Sequence, residues 1–119
     1  MHELSLMQGI LDSITPVALD AGATKVTEVR LTIGEMTQVV EEAMTFAWEA
    51  LTQGESLYEG GNLILEFVKP KSRCLDCGAE FEHDRFHLKC PECGSRFTMV
   101  IEGKEMHIAS IEVDVPDEE

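Results

Sequence analysis

The sequence predicts an α+β fold: a small three-stranded mixed sheet packed by two helices, with an inserted four-cysteine zinc-ribbon module. Three observations lead to this fold class. Two stretches carry apolar residues at helical spacing, three short stretches are typical of strands, and two Cys-x-x-Cys pairs lie between the second and third strands. At 119 residues the chain has room for one modest domain or two very small ones.

The first helix is predicted from Leu4 to about Ala21. Its inward positions are Leu4, Met7, Ile10, Leu11, Ile14, Val17, Ala18 and Ala21. Proline lacks a backbone donor, so Pro16 should bend this helix, or restart it with Thr15 as its cap.

The second helix is predicted from about Gln38 to Gln53. Its inward positions are Val40, Met44, Ala47 and Leu51, with Trp48 at the rim of the core.

Strands are predicted at residues 26–33, 63–68 and 108–115. In the first, Val29, Leu31 and Ile33 fall on one face, as in a half-buried strand. A helix joins the first two strands, so they should run parallel through a right-handed crossover. The two amphipathic helices would cover one face of the sheet.

The predicted domains are therefore discontinuous. Residues 1–68 and 106–119 form the α+β domain, and residues 69–105 form the zinc-ribbon domain inserted before the last strand. The insert is too small to bury a core of its own, so a bound zinc ion must stabilise it, by about 10 kcal/mol or more.

The chain has four cysteines, in two pairs separated by twelve residues: Cys74, Cys77, Cys90 and Cys93. Each pair is followed by a glycine, which permits the backbone turn that aims amide groups at the sulfurs. Two disulfides are the alternative, but Cys-x-x-Cys pairs are poor long-range links and nothing suggests secretion. A redox site would need one such pair beside a βαβ pattern. The spacing predicts a closed tetrathiolate zinc site with a structural role.

The net charge of −14 is unevenly distributed. Residues 69–106 hold seven basic and seven acidic residues, whereas the remainder has only Lys25 and Arg30 against sixteen acids. This balance argues against nucleic-acid binding, since the acidic body would repel phosphate. No apolar run is long enough to cross a membrane and no signal peptide is recognisable, so we expect a cytoplasmic protein with reduced thiols.

The N-terminus offers a second metal site. The Met1 amine, the His2 amide nitrogen and the His2 imidazole can together chelate a metal that favours square-planar nitrogen ligands, Ni(II) or Cu(II). Glu3 could add an oxygen ligand or hold the geometry of the site. Taken alone this signal is weak, because a histidine at position 2 is usually an ordinary terminal residue.

The order of these features resembles the HypA/HybF family of nickel-incorporation proteins for [NiFe] hydrogenase maturation. The resemblance covers essentially the full length, including Met1-His2-Glu3, the segment Val29–Glu35 and the knuckle Cys90-Pro91-Glu92-Cys93-Gly94. It implies a nickel metallochaperone and not an enzyme. The implied nickel ligands are Met1, His2 and Glu3, and zinc would bind the four cysteines.

The same resemblance implies the partners. These are a GTPase of the HypB type and the hydrogenase large-subunit precursor, with urease as a further client in some members. The alternative is a zinc-ribbon adaptor for protein interactions with an inert N-terminus. His83, His87 and His107 are further candidate ligands, although each is also typical of surface or strand-edge positions. No Ser/His/Asp or Cys/His catalytic set is visible.

Overall fold

The computed structural model describes residues 2–116. Two helices and six strands make up the fold. In chain order they are α1 Glu3–Asp20, β1 Lys25–Gly34, α2 Glu41–Thr52, β2 Asn62–Val68, β3 Lys71–Cys74, β4 Glu80–Glu82, β5 Thr98–Glu102 and β6 Met106–Asp114. Short 3-10 turns at Glu35–Thr37 and Ser56–Tyr58 precede α2 and β2 respectively. No helix within the described residues is long and apolar enough to cross a membrane.

The strands form two three-stranded sheets, one in the order β2-β1-β6 and the other in the order β4-β3-β5. In the first sheet, Thr24 N–H donates to Asp114 O (2.9 Å) and Thr27 Oγ1 donates to Glu112 O (3.1 Å). The partner numbers fall as those of β1 rise, so β6 is antiparallel to β1.

Strand β2, on the other side of β1, is parallel to it. Gly61, just before β2, lies against the carbonyl oxygen of Val26 near the start of β1. At the other end, Val68 lines a small cavity with Thr32 and Gly34. The two strands are therefore parallel, and the mixed three-stranded sheet predicted from the sequence is confirmed.

The chain folds into two compact units. The first unit comprises residues 2–31, 39–65 and 108–116 of the described chain, and the second comprises residues 32–38 and 66–107. The second unit thus includes the end of β1 and the turn after it, which the sequence prediction places outside the zinc ribbon. The predicted boundaries at residues 69 and 105 stay a prediction.

The core of the first unit lies where α1 and α2 pack together beside β1. Its fully or almost fully buried side chains include Met7, Ile10, Leu11, Ile14, Ala18, Val26, Val29, Leu31, Met44 and Ala47. Trp48 and Tyr58 pack edge to face, with ring centroids 5.6 Å apart and planes at 81°. The Tyr58 hydroxyl also shares a 2.5 Å hydrogen bond with Thr15 Oγ1. Trp48 is only 6% exposed, so it belongs to the core and not to its rim.

Helix α1 excludes one of the two alternatives predicted for Pro16. The helix runs through Pro16 without restarting, from Glu3 to Asp20. Proline removes one helical donor, but Ile14 and Ala18 on either side of it are both buried on the core face, so packing holds the helical path. The predicted inward residues Leu4 and Val17 are exposed.

Helix α2 begins three residues later than predicted. Gln38 has a left-handed conformation (φ 61°) at the end of the 3-10 turn, which breaks the helical path before Glu41. Val40 becomes the extended N-cap residue and is exposed, so its predicted inward position is wrong.

Candidate metal centre

The four cysteine sulfurs lie together in the second unit. Every pair of their Sγ atoms is within 4.8 Å, and two of the separations between the knuckles are 3.5 Å (Cys74–Cys93) and 3.6 Å (Cys77–Cys90). A tetrahedral zinc ion with Zn–S bonds of about 2.3 Å requires sulfurs about 3.8 Å apart. A disulfide requires about 2.05 Å, and all four thiols are free. The donor set therefore fits a tetrathiolate metal site.

The two knuckles have the same backbone hydrogen bonds. Cys74 N–H donates to Ala79 O (2.8 Å), and Gly78 N–H donates to Cys74 O (2.9 Å). In the second knuckle, Cys90 N–H donates to Ser95 O and Gly94 N–H to Cys90 O, both at 2.9 Å. Both glycines have positive φ, 79° and 76°, a conformation that other residues adopt only with strain. Each turn buries its first cysteine and leaves its second exposed.

The thiols are electrostatically unequal, as expected for crowded groups that share few positive charges. The pKa of Cys74 falls to about 6, because the Cys77 backbone N–H donates to its sulfur at 3.4 Å, helped by Asp76 N–H. The Ser95 N–H lowers the pKa of Cys93, but the neighbouring Cys74 sulfur, burial and the other two sulfurs outweigh it and raise the pKa to about 12. Four thiolates at this spacing need a cation, which a divalent metal provides.

Two contacts that the sequence does not reveal connect the parts of this site. The Ser95 hydroxyl donates to the Asp76 carboxylate, which links the two knuckles. Arg73, just before Cys74, donates to Glu80 Oε2 through Nε (3.2 Å) and Nη2 (2.7 Å). An Asp between the first two cysteines is the only sequence signal for the first contact, and the second depends on strand pairing.

The N-terminal residues lie in the first unit. Met1, a predicted nickel ligand, is outside the described residues. His2 is exposed and occupies the N-cap position of α1, where its carbonyl accepts the first helical bond, from Leu6 N–H (3.0 Å). Backbone N–H groups at a helix start have no intrahelical acceptor, so the His2 amide is not needed by the helix.

Glu3 reaches across to the start of α2. Its Oε2 accepts the Val40 backbone N–H at 3.1 Å, and this bond lowers the pKa of the Glu3 carboxyl. The bond satisfies a donor at the N-terminus of α2, where a carboxylate is also favoured by the helix dipole.

The three other histidines do not join the cysteine cluster. His83 Nε2 shares a 2.6 Å hydrogen bond with buried Ser72, and its Nδ1 lies 2.6 Å from Asp84 O. His87 Nδ1 contacts the Asp84 carboxylate at 2.7 Å, and His107 lies 3.7 Å from Glu105. Within residues 2–116 the four cysteines are the only group of three or more His, Cys, Asp or Glu side chains placed to share a metal ion.

Comparisons with known proteins agree with this arrangement. Residues 1–113 match the family model described as hydrogenase/urease nickel incorporation, metallochaperone, hypA. The hydrogenase maturation factor HypA of Caldanaerobacter subterraneus subsp. tengcongensis is 38% identical over 115 residues, covering 96% of this chain and 100% of that protein. HypA of Aquifex aeolicus is 36% identical over 115 residues, covering 97% and 99%.

Two solved structures share the fold. The solution structure of the Ni metallochaperone HypA from Helicobacter pylori has a TM-score of 0.70 at 23% identity and covers 98% of this chain and all of that one. A second HypA solution structure has a TM-score of 0.66 at 27% identity, with 98% of both chains covered. The chain belongs to the HypA family of hydrogenase and urease nickel-incorporation proteins.

Proposed function

We propose that this protein is a nickel metallochaperone that binds Ni(II) at its N-terminus and delivers it during maturation of [NiFe] hydrogenase. The observation that carries the proposal is the family match, which begins at residue 1 and spans both the Met1-His2-Glu3 start and the cysteine cluster. The nickel ion is cargo, so the protein acts as a carrier and not as an enzyme. Its proposed recipient is the hydrogenase large-subunit precursor, with urease as a second client.

The proposed nickel ligands are the Met1 amine, the His2 amide and imidazole nitrogens, and Glu3. Two features of the described residues support this set. The His2 amide precedes the helical hydrogen bonds, so it can lose its proton to a metal without disrupting α1. The positive end of the α1 dipole would also stabilise the resulting anion.

Glu3 provides a means of release. Its carboxylate bonds to the Val40 N–H at 3.1 Å, so it has an alternative partner when it is not near the metal. A carrier must hold nickel against water and yet give it up within a complex. A terminal chelate whose amide can be reprotonated, and whose carboxylate can return to Val40, meets both needs.

We assign zinc to Cys74, Cys77, Cys90 and Cys93, with a structural role. The sulfur spacing fits tetrahedral zinc, and all four positions are filled by protein, which leaves none open for a substrate. Zinc when bound supplies positive charge and a crosslink, and the knuckle amides orient the sulfurs around it. Free thiols arranged for a metal suit a reducing compartment, and this supports a cytoplasmic location.

The test is a nickel titration of zinc-loaded protein with an authentic N-terminus, followed by calorimetry and visible absorbance. We expect the metal content to rise from one zinc to one zinc plus one nickel, with the weak yellow band of square-planar Ni(II). One alanine added before Met1 converts the amine into an amide and should remove both the band and tight binding. His2→Ala should do the same while zinc content stays constant.

Either variant can refute a different part of the site. Unchanged affinity and absorbance in the extended protein would exclude the amine, and unchanged binding by His2→Ala would exclude the His2 imidazole. Failure of the native protein to bind nickel would favour the zinc-ribbon adaptor. Delivery is tested by mixing nickel-loaded protein with the hydrogenase precursor, with and without a HypB-type GTPase and GTP, and measuring nickel in the re-isolated precursor.

A further inference from the structure

The second unit has a surface groove beside the metal centre, and the buried Cys90 forms part of its lining. The groove has a volume of about 760 Å³. We call it the cationic groove, and its lining residues are Phe86, His87, Leu88, Lys89, Cys90, Pro91, Gly94 and Arg96. These residues lie just before, within or just after the second knuckle, so the folding of that cysteine turn contributes to the shape of the groove.

The groove displays large apolar side chains to solvent. Phe86 is 75% exposed and Leu88 is 40% exposed. The Arg85 guanidinium lies 4.9 Å from the centroid of the Phe86 ring, a cation–π contact that holds a positive charge beside the ring. Exposed aromatic and arginine side chains together are typical of the centre of a protein interface.

The cations around the groove have no carboxylate partners. Among residues 2–116, no carboxylate lies within salt-bridge distance of Arg85, Lys89 or Arg96, whereas Lys71 and Arg73 both pair with Glu80. The nearby Asp84 carboxylate already accepts the Phe86 N–H (2.8 Å) and contacts His87. The lining itself contains no acidic residue. In a protein of net charge −14, this groove is a local exception.

We propose that the cationic groove docks an extended acidic segment of a partner protein. Carboxylates of the segment would pair with Arg96, Lys89 and Arg85, and a bulky apolar side chain would cover Phe86 and Leu88. Arginine-containing clusters bind acidic motifs in this way.

A protein segment fits the charges better than a nucleic acid does. A nucleic acid carries one phosphate per nucleotide over a long strand, and the net charge of −14 would repel it beyond the few cations available. A short segment brings only two or three negative charges, which Lys89 and Arg96 of the groove can match together with Arg85 beside Phe86. Its apolar side chain would also pack against the exposed Phe86 ring and Leu88, which a phosphate group would not do. This docking does not depend on the proposed nickel function.

The test uses the zinc-loaded full chain and a synthetic probe. The probe is a fluorescein-labelled peptide of glutamates around a central Phe-Leu pair, and a matched peptide carries glutamine at each glutamate position. We expect saturable, salt-sensitive binding of the acidic peptide by fluorescence anisotropy. Arg96→Glu should weaken it about fivefold to tenfold, and Phe86→Ala about tenfold. His2→Ala should bind the probe as the native chain does.

Lys104→Glu is the matched control, because it makes the same charge change outside the groove. Zinc content, measured for every variant, reports whether the knuckles have formed. If Arg96→Glu lacks zinc, Arg96→Gln takes its place, with a smaller expected loss of affinity. Equal loss in Lys104→Glu, or equal binding of the glutamine peptide, would overturn the proposal. Tighter binding of a single-stranded oligonucleotide that Arg96→Glu weakens would make the groove a nucleic-acid site instead.

Discussion

Glu80 is the residue that joins β4 to β3 by charge. Its carboxylate accepts two hydrogen bonds from Arg73 and lies 3.4 Å from Lys71 Nζ. These contacts, Arg73 first and Lys71 second, hold the pKa of Glu80 below its usual value. The strand that Glu80 stabilises ends at Cys74, so this ion pair supports the first knuckle from outside the sulfur cluster.

The lowered pKa of Glu80 makes its contribution to the free energy of unfolding depend on pH in a defined direction. Because the folded pKa lies below the unfolded one, the stabilisation is present above the unfolded pKa and is lost as the pH falls through the folded pKa. We expect the carboxyl ¹³C signal of Glu80 to titrate below the usual range, and Arg73→Gln to move its midpoint upward. Lys69→Gln keeps both partners of Glu80 and should leave the midpoint in place. An unchanged midpoint in Arg73→Gln would contradict the assigned cause.

At the residue scale, the sequence predicts the clustering of the four cysteines better than it predicts the contacts around them. The cysteine cluster is predictable because the spacing of the two Cys-x-x-Cys pairs is a local feature of the sequence. The contacts of Glu80 with Arg73 and of Ser95 with Asp76 are not, because they depend on how β3 pairs with β4 and how the two knuckles meet. The bond from Glu3 to Val40 joins residues thirty-seven positions apart, so no local pattern predicts it.

Among the elements, the end of β1 is the most tightly constrained. Gly34 N–H donates to Glu105 O (3.0 Å), and Met36 N–H donates to Gly103 O (2.9 Å). A Cβ atom on Gly34 would lie only 2.8 Å from the α-carbon of Gly103 and closer still to its carbonyl group. Gly103 itself has φ +84° and packs against the backbone of Pro70. Two backbone segments approach here with no room for any side chain.

Gly34→Ala should therefore destabilise the protein, by about 1–3 kcal/mol, since backbone must move to relieve the overlap. Thermal or urea unfolding measures the change. Gly9→Ala is the control, because a Cβ there meets nothing within 4 Å and lies inside α1. It should be neutral or stabilising by up to about 1 kcal/mol. Equal stability of the two variants would show that the backbone near Gly103 can move at little cost in free energy.

The success of each element prediction depends on how local its signal is. Alternation correctly places Val29, Leu31 and Ile33 on the buried face of β1, since each is fully buried. The prediction misplaces the start of α2 because the left-handed Gln38 is not a glycine, and its conformation has no strong sequence signal. At Pro16 the helix does not restart, because the buried face of α1 offsets the local penalty of the proline, and the predicted bend stays a prediction. Strands β3 to β5 are too short to be predicted individually.

At the scale of the whole molecule, the two units differ in what holds them together. The first has a core built from two helices and β1, whereas the fully buried side chains of the second are few and include two of the clustered cysteines, Cys74 and Cys90. A unit with so little apolar core would depend on the proposed zinc ion, because metal binding would then supply folding free energy. The division into a helical domain and a metal-dependent one is inferable from composition, but the inclusion of residues 32–38 in the second unit is not.

Loss of zinc should therefore unfold one unit selectively. After chelation, or in Cys74→Ala or Cys90→Ala, we expect amide hydrogen exchange to become fast across residues 69–105. The backbone of α1 and α2 should stay protected. Re-addition of zinc to the chelated protein, but not to either variant, should restore slow exchange. Fast exchange throughout both helices would show that the first unit cannot stand without the second.

The edge-to-face pair of Trp48 and Tyr58 has a practical consequence for optical work. They are the only tryptophan and the only tyrosine of the chain, and both belong to the first unit. Indole fluorescence therefore reports on that unit alone. The sulfur-to-metal charge-transfer absorption of a cobalt-substituted cysteine site would report on the other. A single sample then yields two spectroscopic signals, each of which reports on one unit only.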